Sequence, residues 1–220
     1  MRTRTIPNRN GGGGKFNPFR NPTPQGKLIQ TANKFGNRGI ARMQGSTIIK
    51  YDFLPLVEGL NQVKEYRFFE NASTRQFPFT NLSEGKLQVG EAMSLERIYW
   101  VVMSVVSAGL SAGEVVDVQT FDDFGVTGLY KGDFSFMNAN NQVIKPAPLL
   151  SFKSNFNKHS NFLRNDILFM DTDLTLQPLI EFVSILKSPI VTIPASETLD
   201  FHIGCVIEGS GAILNPRANF

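Results

Sequence analysis

The sequence predicts an all-β protein: an antiparallel β-sandwich behind an extended basic N-terminal arm. Three observations lead there. Short segments rich in Val, Ile and Phe recur from residue 46 onward, separated by Gly, Pro, Asn and Asp. Almost no apolar stripe of helical i, i+3, i+4 spacing accompanies them. Before residue 46 the composition is that of a segment unable to bury enough apolar surface to fold alone.

The arm comes first. Residues 1–50 hold ten basic side chains and no acid, the first acid being Asp52. The whole chain has 22 basic and 19 acidic residues, so residues 51–220 keep 12 and 19, a net charge of −7 behind an arm of +10. Such a split points to a polyanion as the partner of one segment. Residues 1–45 also carry Gly11-Gly12-Gly13-Gly14, Asn17-Pro18-Phe19 and Asn21-Pro22-Thr23-Pro24. Gly is costly to order and Pro breaks both helix and ladder, so the arm is expected to be a flexible tether. Arg2, Arg4, Arg9, Lys15, Arg20, Lys27, Lys34, Arg38 and Arg42 are spread along it. That spacing suits sequence-independent neutralisation of phosphates, where affinity comes from counterion release. Phe16, Phe19 and Phe35 are expected to dock on a neighbouring subunit, with stacking on exposed bases as the alternative.

The body, residues 46–220, reads as strands. The first is 46–51. Residues 63–69 alternate apolar and charged, as a half-solvated strand does. Residues 86–89 follow the turn cluster 81–85. Residues 95–107 form the longest expected strand, and the run Val101-Val102-Met103-Ser104-Val105-Val106 looks covered on both faces. Strands over 114–121 and 126–137 come next, the latter a hairpin or a bulged strand around Lys131-Gly132-Asp133. Residues 162–170, 174–186 (interrupted by Pro178) and 198–208 complete the set, the last with period-two spacing at Leu199, Phe201, Ile203, Cys205 and Ile207. Helical turns are expected only over 54–60 and 160–165. A single jelly roll is the preferred topology, followed by an immunoglobulin-like or other Greek-key sandwich.

Searching for chemistry returns little. The two histidines, His159 and His202, lack the i, i+4 spacing of a metal site. No G-x-S-x-G elbow occurs, and the tetraglycine is followed by Lys15-Phe16 instead of the Lys-Ser/Thr of a phosphate loop. A single cysteine, Cys205, excludes an internal disulfide framework and a multi-cysteine zinc site, and its apolar setting reads as a buried small hydrophobe. No cofactor and no enzymatic activity are expected. Asp122, Asp123, Asp171 and Asp173 are weak candidates for a calcium site, with ordinary turn chemistry the simpler account. The N-terminus lacks the apolar core of a secretory signal, so the N-x-S matches at Asn71 and Asn81 are read as chance. The longest apolar run, 98–110, has 13 residues, short of the ~20 of a membrane helix. Phe77 and Phe79 bracket Pro78 in a loop suited to docking on a partner, and the C-terminal stretch ending at Phe220 suits draping over a neighbour.

An acid-free Arg/Lys/Gly/Pro/Asn arm on a strand-only body of about 170 residues with aromatic loops resembles the single jelly-roll coat proteins of small icosahedral viruses, including tailless bacteriophages. The stretch Leu87-Gln88-Val89-Gly90-Glu91-Ala92-Met93-Ser94-Leu95-Glu96-Arg97-Ile98-Tyr99 is similar to segments of capsid proteins from small phages of aquatic bacteria. The resemblance implies a virion protein that assembles with copies of itself in the host cytoplasm. The arm would face the interior, against viral nucleic acid, neighbouring subunits, other virion proteins or an internal membrane. The alternative is a spike, decoration or carbohydrate-binding module.

Overall fold

The computed structural model describes residues 43–56, 63–89, 91–119, 125–126, 128–150, 168–171, 174–188 and 191–214. Ten strands follow in order: β1 (Met43–Pro55), β2 (Lys64–Phe68), β3 (Glu91–Val106), β4 (Val115–Gln119), β5 (Asp133–Asn138), β6 (Asn141–Pro148), β7 (Leu168–Asp171), β8 (Thr175–Leu176), β9 (Phe182–Ser188) and β10 (Leu199–Leu214). They form two antiparallel sheets, as in a β-sandwich. The first has the order β1-β10-β3, with β8, β7 and β4 laid end to end along the far edge of β3; the second has the order β2-β9-β5-β6.

The core lies between the sheets because one face of every long strand is apolar. In the first sheet, Ile98, Trp100 and Val102 of β3 stand beside Ile207, Cys205 and Ile203 of β10 in the ladder, and all six are buried. The second sheet answers with Phe68, Phe134, Phe136, Phe182 and Leu186. Trp100 is the keystone, edge-on to Phe68 at 5.1 Å and to Phe134 at 5.3 Å. Such pairs each add ~0.5–1.5 kcal/mol beyond the area they bury. Phe182 repeats the arrangement further along, 5.1 Å from Phe69. Cys205 is fully buried, its Sγ 3.3 Å from the Ser184 Oγ on the opposite sheet. Burial pushes its thiol far above the ordinary range, which leaves it unreactive.

Several expectations need adjustment. β3 starts at Glu91 instead of Leu95: residues 91–94 continue the ladder with β10, and Glu91 accepts from Lys50 Nζ at 2.9 Å. β10 runs on to Leu214 through the glycines where 198–208 was expected to end. A bulge between Glu208 and Gly209 carries the ladder past them. Residues 86–89 contribute only isolated bridges, Lys86 to Glu181 and Leu87 to Pro178. The expected strand over 174–186 is two, β8 and β9, separated by Pro178 and by Leu179 with φ of 60°. β6 was not foreseen. It carries Pro146 and Pro148, which an edge strand tolerates because its outer N–H groups need no partner. Residues 54 and 55, expected in a helical turn, are still in β1; residues 57–60 and 160–165 lie outside the described residues.

At Gly209 the backbone of β10 presses against β3. A Cβ there would lie 1.9 Å from the Ser94 carbonyl oxygen, with no flexible side chain to yield. Gly209→Ala should therefore lower unfolding stability by about 1–3 kcal/mol in a denaturant titration. Gly109→Ala meets nothing within 4 Å, but its φ of 96° should still cost about 1–2 kcal/mol through backbone strain alone.

Candidate functional site

The first sheet is apolar on its outer face as well. Side chains alternate along a strand, so residues aligned across a ladder share a face. Tyr51 of β1, Val206 of β10 and Tyr99 of β3 form one such row. Phe53, Gly204 and Val101 form the next, and His202, Met103 and Val118 of β4 continue it. Gly204 is required there: a Cβ would meet the Phe53 ring at 2.3 Å, so the ring lies flat over the glycine. Phe53, Met103 and Val105 are buried in a small cluster of their own, separate from the main core, with Tyr51, Phe79, Val101 and Val115 around it. Over this face opens a groove of about 680 Å³, walled by β1 and Phe77-Pro78 on one side and by Val115 and Val118 on the other. Among the described residues, Glu114 is its one charged lining residue.

The Phe77 wall is held by a buried ion pair. Asp52 sits on the inward side of β1 with no exposure, and Arg75 donates to both its oxygens, Nε to Oδ1 at 2.8 Å and Nη2 to Oδ2 at 2.6 Å. The Phe69 backbone N–H donates to Oδ2 as well, at 2.6 Å, and Arg75 Nη2 also reaches the Glu70 carbonyl at 2.9 Å. Burial pushes the Asp52 carboxyl above its ordinary value, while these donors pull against it. Asn81 locks the same loop to β1, accepting from Tyr51 N at 2.9 Å and donating to Ile49 O at 2.8 Å. Asn81 is thus a structural clamp, and nothing in its surroundings calls for a glycan.

The sequence-derived site residues divide. Phe77 is 82% exposed at the groove rim. Phe79 is not exposed: it packs 4.9 Å from the His202 ring, and its carbonyl accepts from Phe53 N at 2.8 Å. The turn around Pro78 sends one phenylalanine out and the other in. The arm residues Arg2, Arg4, Arg9, Lys15, Phe16, Phe19, Arg20, Lys27, Lys34, Phe35, Arg38 and Arg42 lie outside the described residues, as do Phe220, Asp122, Asp123, Asp173 and His159. Asp171 is described only as backbone, paired with Arg97. Among the described residues, no three His, Cys, Asp or Glu side chains cluster as metal ligands would. Sequence reasoning missed the groove, the Asp52–Arg75 pair and the exposed Leu110 at the β3–β4 hairpin tip.

Among the described residues, six of the nine basic side chains pair with acids. Lys50 pairs with Glu91 at 2.9 Å, Arg67 with Glu65 and Glu70, Lys86 with Glu84 and Lys187 with Glu65. With Arg75 and Arg97 also paired, the described body offers no continuous basic track. Comparison with protein-family models, characterised proteins and solved structures finds no match.

Two predictions follow from this geometry. Arg75→Ala strands a buried carboxylate and should cost about 3–5 kcal/mol in chemical denaturation, whereas Arg67→Ala, whose partners are exposed, should cost under about 1 kcal/mol. His202 is the other probe. Burial holds its pKa below the ordinary 6.5, and the Asp200 charge opposes that only in part. The unfolded chain therefore takes up the proton first, and the His202 contribution to stability, complete above about pH 6.5, is lost as pH falls through the lower folded value. The melting temperature should drop between pH 7.5 and 5 by more in the wild type than in His202→Gln.

Proposed function

We propose that this chain is a structural, non-enzymatic subunit of an icosahedral virion, a single jelly roll that assembles with copies of itself. The observation that carries the reading is the nesting of its strand pairs. β1 pairs with β10, β2 with β9, β3 with β7 and β8, and β5 with β6. The partners draw steadily inward along the chain, from 43 with 214 to 138 with 141. Such nesting supports a long hairpin rolled into two sheets, the jelly-roll plan common among capsid proteins. β4 is an extra strand hairpinned onto β3.

The outer face of the first sheet supports self-assembly. A monomer seldom leaves a wide apolar patch open to water, and such patches mark interaction surfaces. The charge split supports the rest: with residues 51–220 carrying a net charge of −7, the acid-free arm is the segment suited to viral nucleic acid in the virion interior. Other virion proteins and an internal membrane are further partners of the same chemistry. A carbohydrate-binding module is disfavoured because Trp100, the single tryptophan, is buried at 1% exposure instead of forming a sugar platform.

Purified full-length protein should form closed shells by electron microscopy. Nucleic acid should co-purify and leave as salt rises, since each neutralised phosphate adds to the salt slope. Val118→Glu, at a half-exposed groove position, should abolish shells while leaving circular dichroism unchanged. A protein that stays monomeric at every salt concentration refutes the proposal.

A further inference from the structure

The groove on the outer face of β1, β10 and β3 matches a segment of the same chain. We infer that residues 15–20 of the arm, Lys15-Phe16-Asn17-Pro18-Phe19-Arg20, dock in it, with Phe16 and Phe19 on the apolar floor and the flanking cations toward Glu114. This deepens the assembly reading and rests on it in one respect: an arm seated on the next copy is a tie between subunits.

Four observations select this occupant. The groove is aromatic at its walls, with Tyr51, Phe53, Phe77 and Tyr99, and aromatic grooves favour proline-bearing extended segments that dock by ring packing. A sheet face offers no ladder hydrogen bonds, so Pro18, which lacks an N–H, loses nothing by lying there. Charge is complementary, because the one charged lining residue among those described is the acid Glu114 and the arm has cations only. Length also allows it: Phe19 lies 24 positions before the start of β1 at Met43. A flexible tether of that length spans about 27 Å on average and about 80 Å when taut. A body of this size is about 40 Å across, so a groove on the same copy or the next is within reach. Phe35, a lone aromatic beside one lysine, matches the site less well.

The test is disulfide trapping in the full-length protein carrying Phe19→Cys and Val118→Cys, with Thr3→Cys and Val118→Cys as the control. Cys205 is buried and stays out of the reaction. Mild oxidation should give a 19–118 link, identified by peptide mass spectrometry, in at least about fivefold excess over the 3–118 link, a preference that a free tether cannot produce. Equal yields from the two pairs, or a link from residue 19 to another surface, would overturn the docking whether or not shells form. The link should join different chains, read by mixing isotopically light and heavy protein. A link confined to single chains upholds the docking and removes only the tie between copies, leaving assembly to be judged by electron microscopy. Should the cysteine variants misfold, a fluorescent peptide of residues 13–22 added to full-length Phe16→Ala/Phe19→Ala protein supplies the same answer by anisotropy. Replacing both phenylalanines in the peptide should weaken binding by about tenfold or more. Equal binding of the two peptides would overturn the proposal.

Discussion

A sheet that is apolar on both faces has to be covered twice, and a two-layer sandwich covers it once. That constraint governs this protein. Trp100, Val102, Ile203 and Cys205 look inward to the second sheet, while Tyr99, Val101, Met103 and Val206 look outward from the same strands. The chain covers part of the outer face itself, by folding the loop that carries Phe79 across the end of β1. Among the described residues, what that loop leaves open is the groove. Each part of the functional account, from assembly to arm docking, answers the question of what closes it.

The register of three strands holds the two faces apart. A shift of one residue between β1 and β10 would carry Tyr51 and Phe53 to the core and Asp52 to the outside. Two features oppose such a slip. Gly204 and Gly211 leave room for the Phe53 ring and the Ile48 side chain at their present positions alone, since a Cβ at either would lie within 2.3 Å of them. Asp52 is buried only where Arg75 and the Phe69 N–H reach it. A buried charge adds little net stability when paired and is costly when unpaired, so its effect is to penalise the wrong register.

The strands whose partners lie on both sides were the most legible in the sequence. β10 shows the period-two alternation of Phe201, Ile203, Cys205 and Ile207, and the β-branched centre of β3 shows its double coverage. Edges and irregular stretches were not legible for a physical reason. β6 holds two prolines that are excluded from a central strand and tolerated at an edge, and sequence does not reveal which place a strand takes. The β10 glycines read as a loop, although they are small because neighbouring backbone and side chains press on them. At the site, Phe77 was visible from its place beside Pro78. The groove was not, because its floor is assembled from residues as distant as 51, 99 and 206, joined only by register. Asp52 stood out as the first acid after fifty residues without one, yet its partner lies 23 residues away, and only the fold brings them together.

Hydroxyl-radical footprinting of the full-length protein, assembled and then dispersed in high salt, measures the covering of the outer face directly. The account predicts that Tyr51, Phe77 and Tyr99 are protected in the assembled state and become reactive on dispersal, while Trp100 stays protected in both. Equal oxidation of Phe77 and Tyr99 in the two states would mean that the groove stays open to water, and the link drawn between the apolar face and assembly would be wrong.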